Sequence, residues 1–461
     1  MGLLCKVRYF FLCVVLFVCG VVSLSCCSSS QEGFTETERD PIEDLSGEKF
    51  YFVGSFFPSD AKDGVSANRL DSDISLIETE VLLEHCQMTE QRYHCEIVCQ
   101  SEFPGQTPAA FASAYASGSV CADFLCADFN VLSDLYDADL LVDLSTIEAI
   151  DLSDEEKWGT ESQRIGTSRD GVLYAFPQKG SRYMPVMQTY SGVLVCNREV
   201  YDRFSVDTTP RQLIEQGKWT FDQFLDLLKS VYDPSEVDPV SGIVSHDGIA
   251  LAAVCANGGN VIMKIKGQYV FGYTQERSLR ALEWAKRLSR IYGLVGKYED
   301  FEKGTATFCL TRPELIIRSS LENLEWLPFP YGPDVEYGDS CSATFGFEEQ
   351  GTAILKQVDP TRQQQVGIVV NALFEPTSVW GKNGYAEYLK RNYFRSELDY
   401  EVYRQQCEQM CYDWSNELAA CGVQNRLQQA CTVALHASGS VYSYMSVFED
   451  EVNMWADEQL N

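Results

Sequence analysis

The chain has 461 residues, with 36 Lys and Arg against 67 Asp and Glu, a net charge of −31. That balance excludes a nucleic-acid binder, which needs a basic face, and excludes attachment to anionic lipid by surface charge. The length is too great for one core and suits two lobes. Lys6 and Arg8 precede an uncharged apolar stretch from Tyr9 to Leu24. A basic start, an apolar middle and small residues at its exit have the layout of a secretory signal. The stretch is short for a membrane span, which favours a cleaved leader over a retained anchor.

Leu24-Ser25-Cys26-Cys27 follows directly. It resembles the lipobox of bacterial lipoproteins, in which a cysteine after small residues is lipidated and becomes the new N-terminus. Cys26 is favoured because Ser25 precedes it; Cys27, three after Leu24, is the competing register. The segment from Ser28 to about Ser46, polar and acidic, reads as a flexible tether. Residues 1–25 are therefore expected to be a signal peptide and 26–46 a lipidated tether. A single acyl chain holds a protein only marginally, so the several chains of that anchor type would be what holds it. Thirteen cysteines lie beyond Cys27, irregularly spaced. Several stand in apolar runs, such as Cys196, Cys255 and Cys309, and read as small core residues, with one or two bridges compatible.

Lys49–Val53 reads as a buried strand ending at Gly54. A helix is predicted over 72–87, from Ile74, Ile77, Val81 and Leu82. Strands follow at 93–100 and 122–125, and helices at 108–117 and 131–138. This alternation implies a parallel sheet wrapped on both faces. Extended segments are predicted at 172–177 and 193–195. Thr220 starts a helix to Tyr232 with Phe221, Phe224, Leu225 and Leu228 on one face. Another runs from Ser278 to Tyr292. The proline-punctuated run Glu325–Gly332 is read as the end of one unit and the start of another. Residues 385–461 read as helical, with breaks near Gly422 and Gly439.

Six signatures then stand in order. They are Gly171–Pro177 (GVLYAFP), Val193–Arg198 (VLVCNR), Trp219–Phe224 (WTFDQF), Cys255–Gly259 (CANGG), Phe301–Ala306 (FEKGTA) and Leu327–Pro333 (LPFPYGP). Together they resemble the extracellular solute-binding proteins, family 1, of carbohydrate-type ABC importers, over about residues 47–461. Cys196 departs from that pattern's tyrosine. The resemblance implies an α/β, two-lobe, periplasmic-binding-protein-like fold with a hinge of crossing strands and a ligand cleft between the lobes. It implies crossings near 183–190 and 326–331. Lobe 1 would then hold residues 47–185 and 332–375, and lobe 2 residues 186–331 and 376–461. It further implies a protein on the extracellular face of the cell membrane, expected to be a monomer. It would capture a sugar or oligosaccharide and deliver it to the importer's membrane subunits, with no catalysis and no cofactor.

Ligands of a doubly wound sheet sit at the carboxyl ends of its strands. That places Phe56, Phe57, Asp128, Phe129 and Asn130 at the cleft of lobe 1. Tyr183, Tyr190 and Glu314 would come from the crossings and lobe 2. Asn257, more simply a turn former, and Tyr337 complete the candidates. Rings cover the apolar side of a pyranose, and carboxylates and amides bind its hydroxyls. Trp219 and Trp284, on or beside helices with apolar stripes, are assigned to packing.

Competing chemistries are less well supplied. His85, Cys86, His94, Cys95 and Cys99 make the best metal-like cluster. A strand at 93–100 would place His94 opposite Cys95 and Cys99, and CxxC is absent, so no metal site is expected. Cys407 and Cys411 are read as one helical turn apart. A glycoside hydrolase needs two carboxylates across a cleft, and no motif singles out such a pair. A non-sugar solute such as a polyamine or peptide, or an exported carbohydrate-active enzyme, remains the alternative.

Overall fold

Strands at 49–54, 96–100, 124–128, 350–354 and 176–177 form one sheet of a computed structural model. The structure describes residues 43–54, 73–100, 107–178, 190–234, 239–245, 248–292, 298–346, 349–357, 359–376 and 384–460. The sheet order is 96–100, 49–54, 124–128, 350–354, 176–177. The first three strands are parallel, as the helix–strand rhythm predicts. Gln350–Ile354 runs antiparallel to Phe124–Asp128, so the sheet is mixed. Alternation sorts its side chains. Phe50, Phe52, Phe124, Cys126 and Ile354 enter one core, under helices Asp73–Tyr93 and Pro360–Leu373. Val53, Leu125, Ala127 and Ala353 enter the other, with Phe111 of helix Pro108–Ala116 and Leu132 and Leu135 of helix Phe129–Asp137. Asp123 pins the centre: it accepts from Tyr51 N at 2.7 Å and from Arg362 Nη2 at 2.8 Å and Nε at 3.1 Å.

The strand expected at 93–100 begins at Glu96, because the preceding helix runs to Tyr93 and His94 turns the chain at φ 51. Helix 73–93 outruns its predicted end at Gln87 for the same reason: the residues between are polar and helix-compatible, and no breaker stands among them.

A second sheet takes strands 324–327, 193–197, 306–311 and 241–245, in that order. Val193–Asn197 and Ala306–Thr311 are buried along their whole length, which is why they read as apolar runs without alternation. Helices Phe221–Ser230, Ile249–Ala256 and Glu276–Tyr292 pack around it. Trp219 and Trp284 are packing residues here. Trp219 Nε1 donates to Pro328 O at 2.8 Å, and Trp284 stacks on Phe221 with ring centroids 4.0 Å apart.

Three chain segments meet at the junction of the halves. Ser191 pairs with Thr344, Thr344 with Cys411 and Phe345 with Tyr412. The return crossing thus lies at 343–345, not at the expected 326–331. The proline-rich run ends its strand, but the chain stays on the four-stranded half. Gly332 N donates to Ala256 O, Asp334 N to Asn257 Oδ1 and Ser340 Oγ to Ala256 O. Residues 332–340, expected in lobe 1, therefore belong with the four-stranded sheet. Cys411–Tyr412 is a third segment at this junction, not a passage between the halves: helix Glu397–Gln409 before it already packs on the four-stranded sheet, where Trp326 N donates to Asp399 Oδ1 at 2.9 Å. Helix Glu397–Gln409 stops before Cys411, which opens a two-residue strand instead of continuing the helix with Cys407. The Tyr412 ring seals this joint, lying against Phe129 and Phe345 at centroid distances of 5.8 and 5.7 Å. Gly166 is required beneath it, since a Cβ there would come within 2.4 Å of the ring.

Candidate functional site

The carboxyl ends of strands 241–245 and 306–311 point the same way, toward the crossings. Polar residues directly follow or end these buried strands: Ser245 closes the first, and Arg312 follows the second. The antiparallel neighbour 193–197 enters from the same edge, so Ser191 and Gly192 lie beside them. A cavity of about 550 Å³ opens there, within the range of small-molecule sites. Ser191, Ser245, Arg312, Ser342, Thr344 and Asp413 supply its polar lining near the crossings. Leu310, Ile249, Leu418 and Tyr273 supply apolar surface, and Gln424 and Gln428 line it from helix Gln424–His436.

The helix Ile249–Ala256 begins at this wall, with no side chain capping its N-terminus at Gly248. Its first backbone N–H groups are donors facing the lining. Thr344 is 1% exposed, yet its hydroxyl has no hydrogen-bond partner, and neither has the Ser415 hydroxyl. Asp413 Oδ1 accepts from Ser415 N at 2.9 Å, and Ser342 Oγ donates to Gly192 O at 3.0 Å. Below the cavity, the Tyr412 hydroxyl donates to Glu417 Oε2 at 2.8 Å. Burial pushes the Glu417 carboxyl up to about 7, against the opposing pull of that hydrogen bond. The lining thus offers hydroxyls, amides, one guanidinium and one carboxylate. This set can exchange donors and acceptors with a polyhydroxylated solute. Asp413 is the one carboxylate among the described lining residues.

The candidates named from sequence take other places. Phe56, Phe57, Tyr183, Cys26 and Cys27 lie outside the described residues. Asp128 ends its strand and accepts from Gln350 Nε2 at 3.0 Å. Phe129 is buried against Tyr412, and Asn130, the next residue in the first turn of that helix, is exposed. These three stand at the carboxyl edge of the five-stranded sheet and do not line the cavity. Tyr190 is buried at the first crossing, its hydroxyl donating to Gln406 Oε1 at 2.8 Å. Glu314 lies on the short helix Pro313–Ile317, with Oε2 buried and unpartnered. Asn257 is fully buried: its Nδ2 donates to Arg277 O and Asp334 Oδ2, each at 2.7 Å, so it clamps a turn. Tyr337 is 41% exposed and packs on Tyr331. Sequence reasoning missed Ser245, Arg312, Thr344 and Ser415. The first two carry a usable signal, since each is a polar residue at the end of a buried apolar strand. Thr344 and Ser415 carry none, because their place depends on crossings that have no motif. Among the described residues no group of three or more His, Cys, Asp or Glu is placed to hold a metal ion.

The fold is similar to that of the cyclic alpha-maltosyl-1,6-maltose binding protein from Arthrobacter globiformis. The two share 14% identity over 89% of this chain and 99% of that one, with a TM-score of 0.61. An extracellular solute-binding protein family 1 member from Alicyclobacillus acidocaldarius matches at 13% identity, over 90% of this chain and 100% of that one, with a TM-score of 0.54. UgpB from Mycobacterium tuberculosis, solved in complex with glycerophosphocholine, matches at 12%, over 91% and 99%, with a TM-score of 0.53. No family profile and no curated protein matches the chain. At these identities the likeness establishes the fold: two α/β lobes of the solute-binding-protein type.

Proposed function

We propose that this protein is an exported, lipid-anchored member of the carbohydrate-type solute-binding proteins. It captures a sugar or oligosaccharide between its lobes and presents it to an ABC importer. The observation that carries the reading is the cavity at the crossings. It lies at the carboxyl edge of one sheet, beside the segments on which the lobes would turn, and its lining is rich in hydroxyl and amide groups. Structural neighbours that bind a cyclic maltosyl-maltose and a maltotetraose support the ligand class. A second reading, a solute with an anionic group, is favoured by Arg312 and the uncapped helix start, and by the neighbour that holds glycerophosphocholine.

The lobes divide at the segments around 190 and 343–345. Residues 45–178 and 345–376 go with the five-stranded sheet, and residues 193–342, 384–409 and 413–460 with the other, the helix Glu397–Gln409 held there by Asp399 on Trp326 N and Arg211. A ligand touching both lobes favours the closed form by its differential affinity, and the closed form is what the membrane subunits would recognise. Asp128 and Asn130, at the facing sheet edge, are the five-stranded lobe's contribution. A lone lining carboxylate suits binding better than glycoside hydrolysis, which uses two.

A thermal-shift screen tests the reading, using neutral oligosaccharides, glycerophosphodiesters, polyamines and peptides, with each binder recovered and weighed by mass spectrometry. The expected result is a raised melting temperature with one or more oligosaccharides, returned intact. A shift only with the phosphodiesters would select the second reading. Cleavage of the glycan would replace binding with catalysis.

A further inference from the structure

The cavity beside the junction does not end there. Its lining continues along helix Gln424–His436 to Ser289 of helix Glu276–Tyr292. Val423 N donates to Leu418 O at 2.8 Å, so Gln424 starts beside the turn and short helix that carry Asp413, Ser415 and Leu418. At the far end, His436 Nδ1 and Ser289 Oγ share a hydrogen bond of 3.2 Å. The helix between these ends, from Gln424 to His436, spans about 18 Å at 1.5 Å per residue.

Two rows of side chains on that helix line the cavity, each repeating at about one turn. Leu427, Cys431 and Leu435 are buried and form an apolar row. Gln424, Gln428, Thr432 and His436 form a polar row beside it; Gln424 is half-buried and the other three are exposed. Thr432 Oγ1 donates to Gln428 O at 3.0 Å, which leaves the lone pairs of that hydroxyl to accept from a solute. Ile249 and Leu251, from helix Ile249–Ala256, add apolar surface. Neither row contains an Asp, Glu, Lys or Arg.

We propose that this trough binds a neutral, unbranched oligosaccharide lengthwise, one end at the junction and the chain running along helix Gln424–His436. Linked pyranose rings present apolar faces and hydroxyl edges along their whole length. An apolar row flanked by a polar row, both following one helix axis, matches that arrangement. Rows without a charged side chain match a neutral chain. A single ring would fill one end and leave the rest of the helix face uncovered. At one ring per helical turn, roughly three rings lie along the helix. Gln428 and Thr432, midway along it, then set the preference for chain length. This placement rests on the saccharide reading above and adds the shape of the ligand.

The test is titration calorimetry of the full chain with size series, from two to six units, of unbranched glucose, mannose, xylose and galactose oligosaccharides. In the series that binds, affinity should rise about tenfold or more between two units and four or five. In the double variant Gln428→Ala, Thr432→Ala that gain should disappear. Both side chains are exposed, so the substitutions spare the core. A variant that is merely damaged would weaken short and long chains alike and keep their ratio. Equal affinity at every length, or a gain that survives in the variant, would overturn the lengthwise placement and leave the saccharide reading standing. No binding by any of the oligosaccharides would remove the saccharide reading and this placement with it.

Discussion

Glu417 is the residue whose environment most directly sets a measurable property. Its carboxyl is pushed from the ordinary 4.5 to about 7, chiefly by burial. Between those values the folded chain holds a proton that the unfolded chain has lost, so stability falls as pH rises through the window. The full penalty, about 3 kcal/mol at roughly 1.4 kcal/mol per unit, is present above pH 7. His85 slopes the other way: burial lowers it to about 4, so its contribution is lost as pH falls from 6.5 toward 4. Glu417→Gln should therefore raise the melting temperature at alkaline pH and expose the acid-side slope that Glu417 offsets; parallel curves for variant and parent would contradict this. Arg312→Ala should weaken ligand binding about tenfold or more, since a hydrogen bond to a charged group contributes roughly 1.5–3 kcal/mol. Titration calorimetry with whichever solute binds reads this, and an unchanged affinity removes Arg312 from the site. At the N-terminus, incorporation of labelled fatty acid should be lost in Cys26→Ala and retained in Cys27→Ala. The reverse pattern moves the anchor by one residue.

The crossings are the elements on which the account turns, and they are held by a glycine. Gly192 has φ +101, and a Cβ there would meet Ser342 O at 2.3 Å. Gly192→Ala must both adopt a conformation unfavourable to alanine and push two crossing segments apart. It is expected to cost about 1–3 kcal/mol in urea unfolding and to weaken ligand binding together with stability. A variant as stable as the parent would mean that the segments are not packed as described. The crossings were also the elements least legible in the sequence. The strands 49–54 and 193–197 and the helices 108–116, 221–230 and 276–292 announce themselves by apolar runs or a helical stripe. Two-residue strands such as Thr344–Phe345 and Cys411–Tyr412 have no period to detect, and their pairing is a contact across long sequence distance. The proline-rich run at 325–332 looks like a boundary because proline ends a strand. What keeps the next residues on the same half is a set of long-range bonds, to the buried amide of Asn257, to Ala256 O and from Arg280 to Asp334, which no local pattern reveals.

At the scale of the whole molecule, two sheets of different topology meet at short paired segments, and a cavity opens beside them in the four-stranded half. The architecture was readable because the helix–strand rhythm is a feature of order along the chain, while the solved structures of similar fold share only 12–14% identity with it. The site was less readable because its residues come from distant segments: Ser191, Ser245, Arg312, Thr344 and Asp413 are brought together only by the crossings. Aromatic residues drew attention as sugar platforms, yet most of those described here bury for stability, as Phe129 and Tyr190 do. A net charge of −31 opposes attachment to anionic lipid through the protein surface. The most direct measurement is a crystal structure of the protein with the strongest binder from the solute screen. The account predicts that solute in the cavity beside Ser245, Arg312 and Thr344, with residues of both lobes in contact. A solute bound elsewhere, or held by one lobe alone, would contradict it.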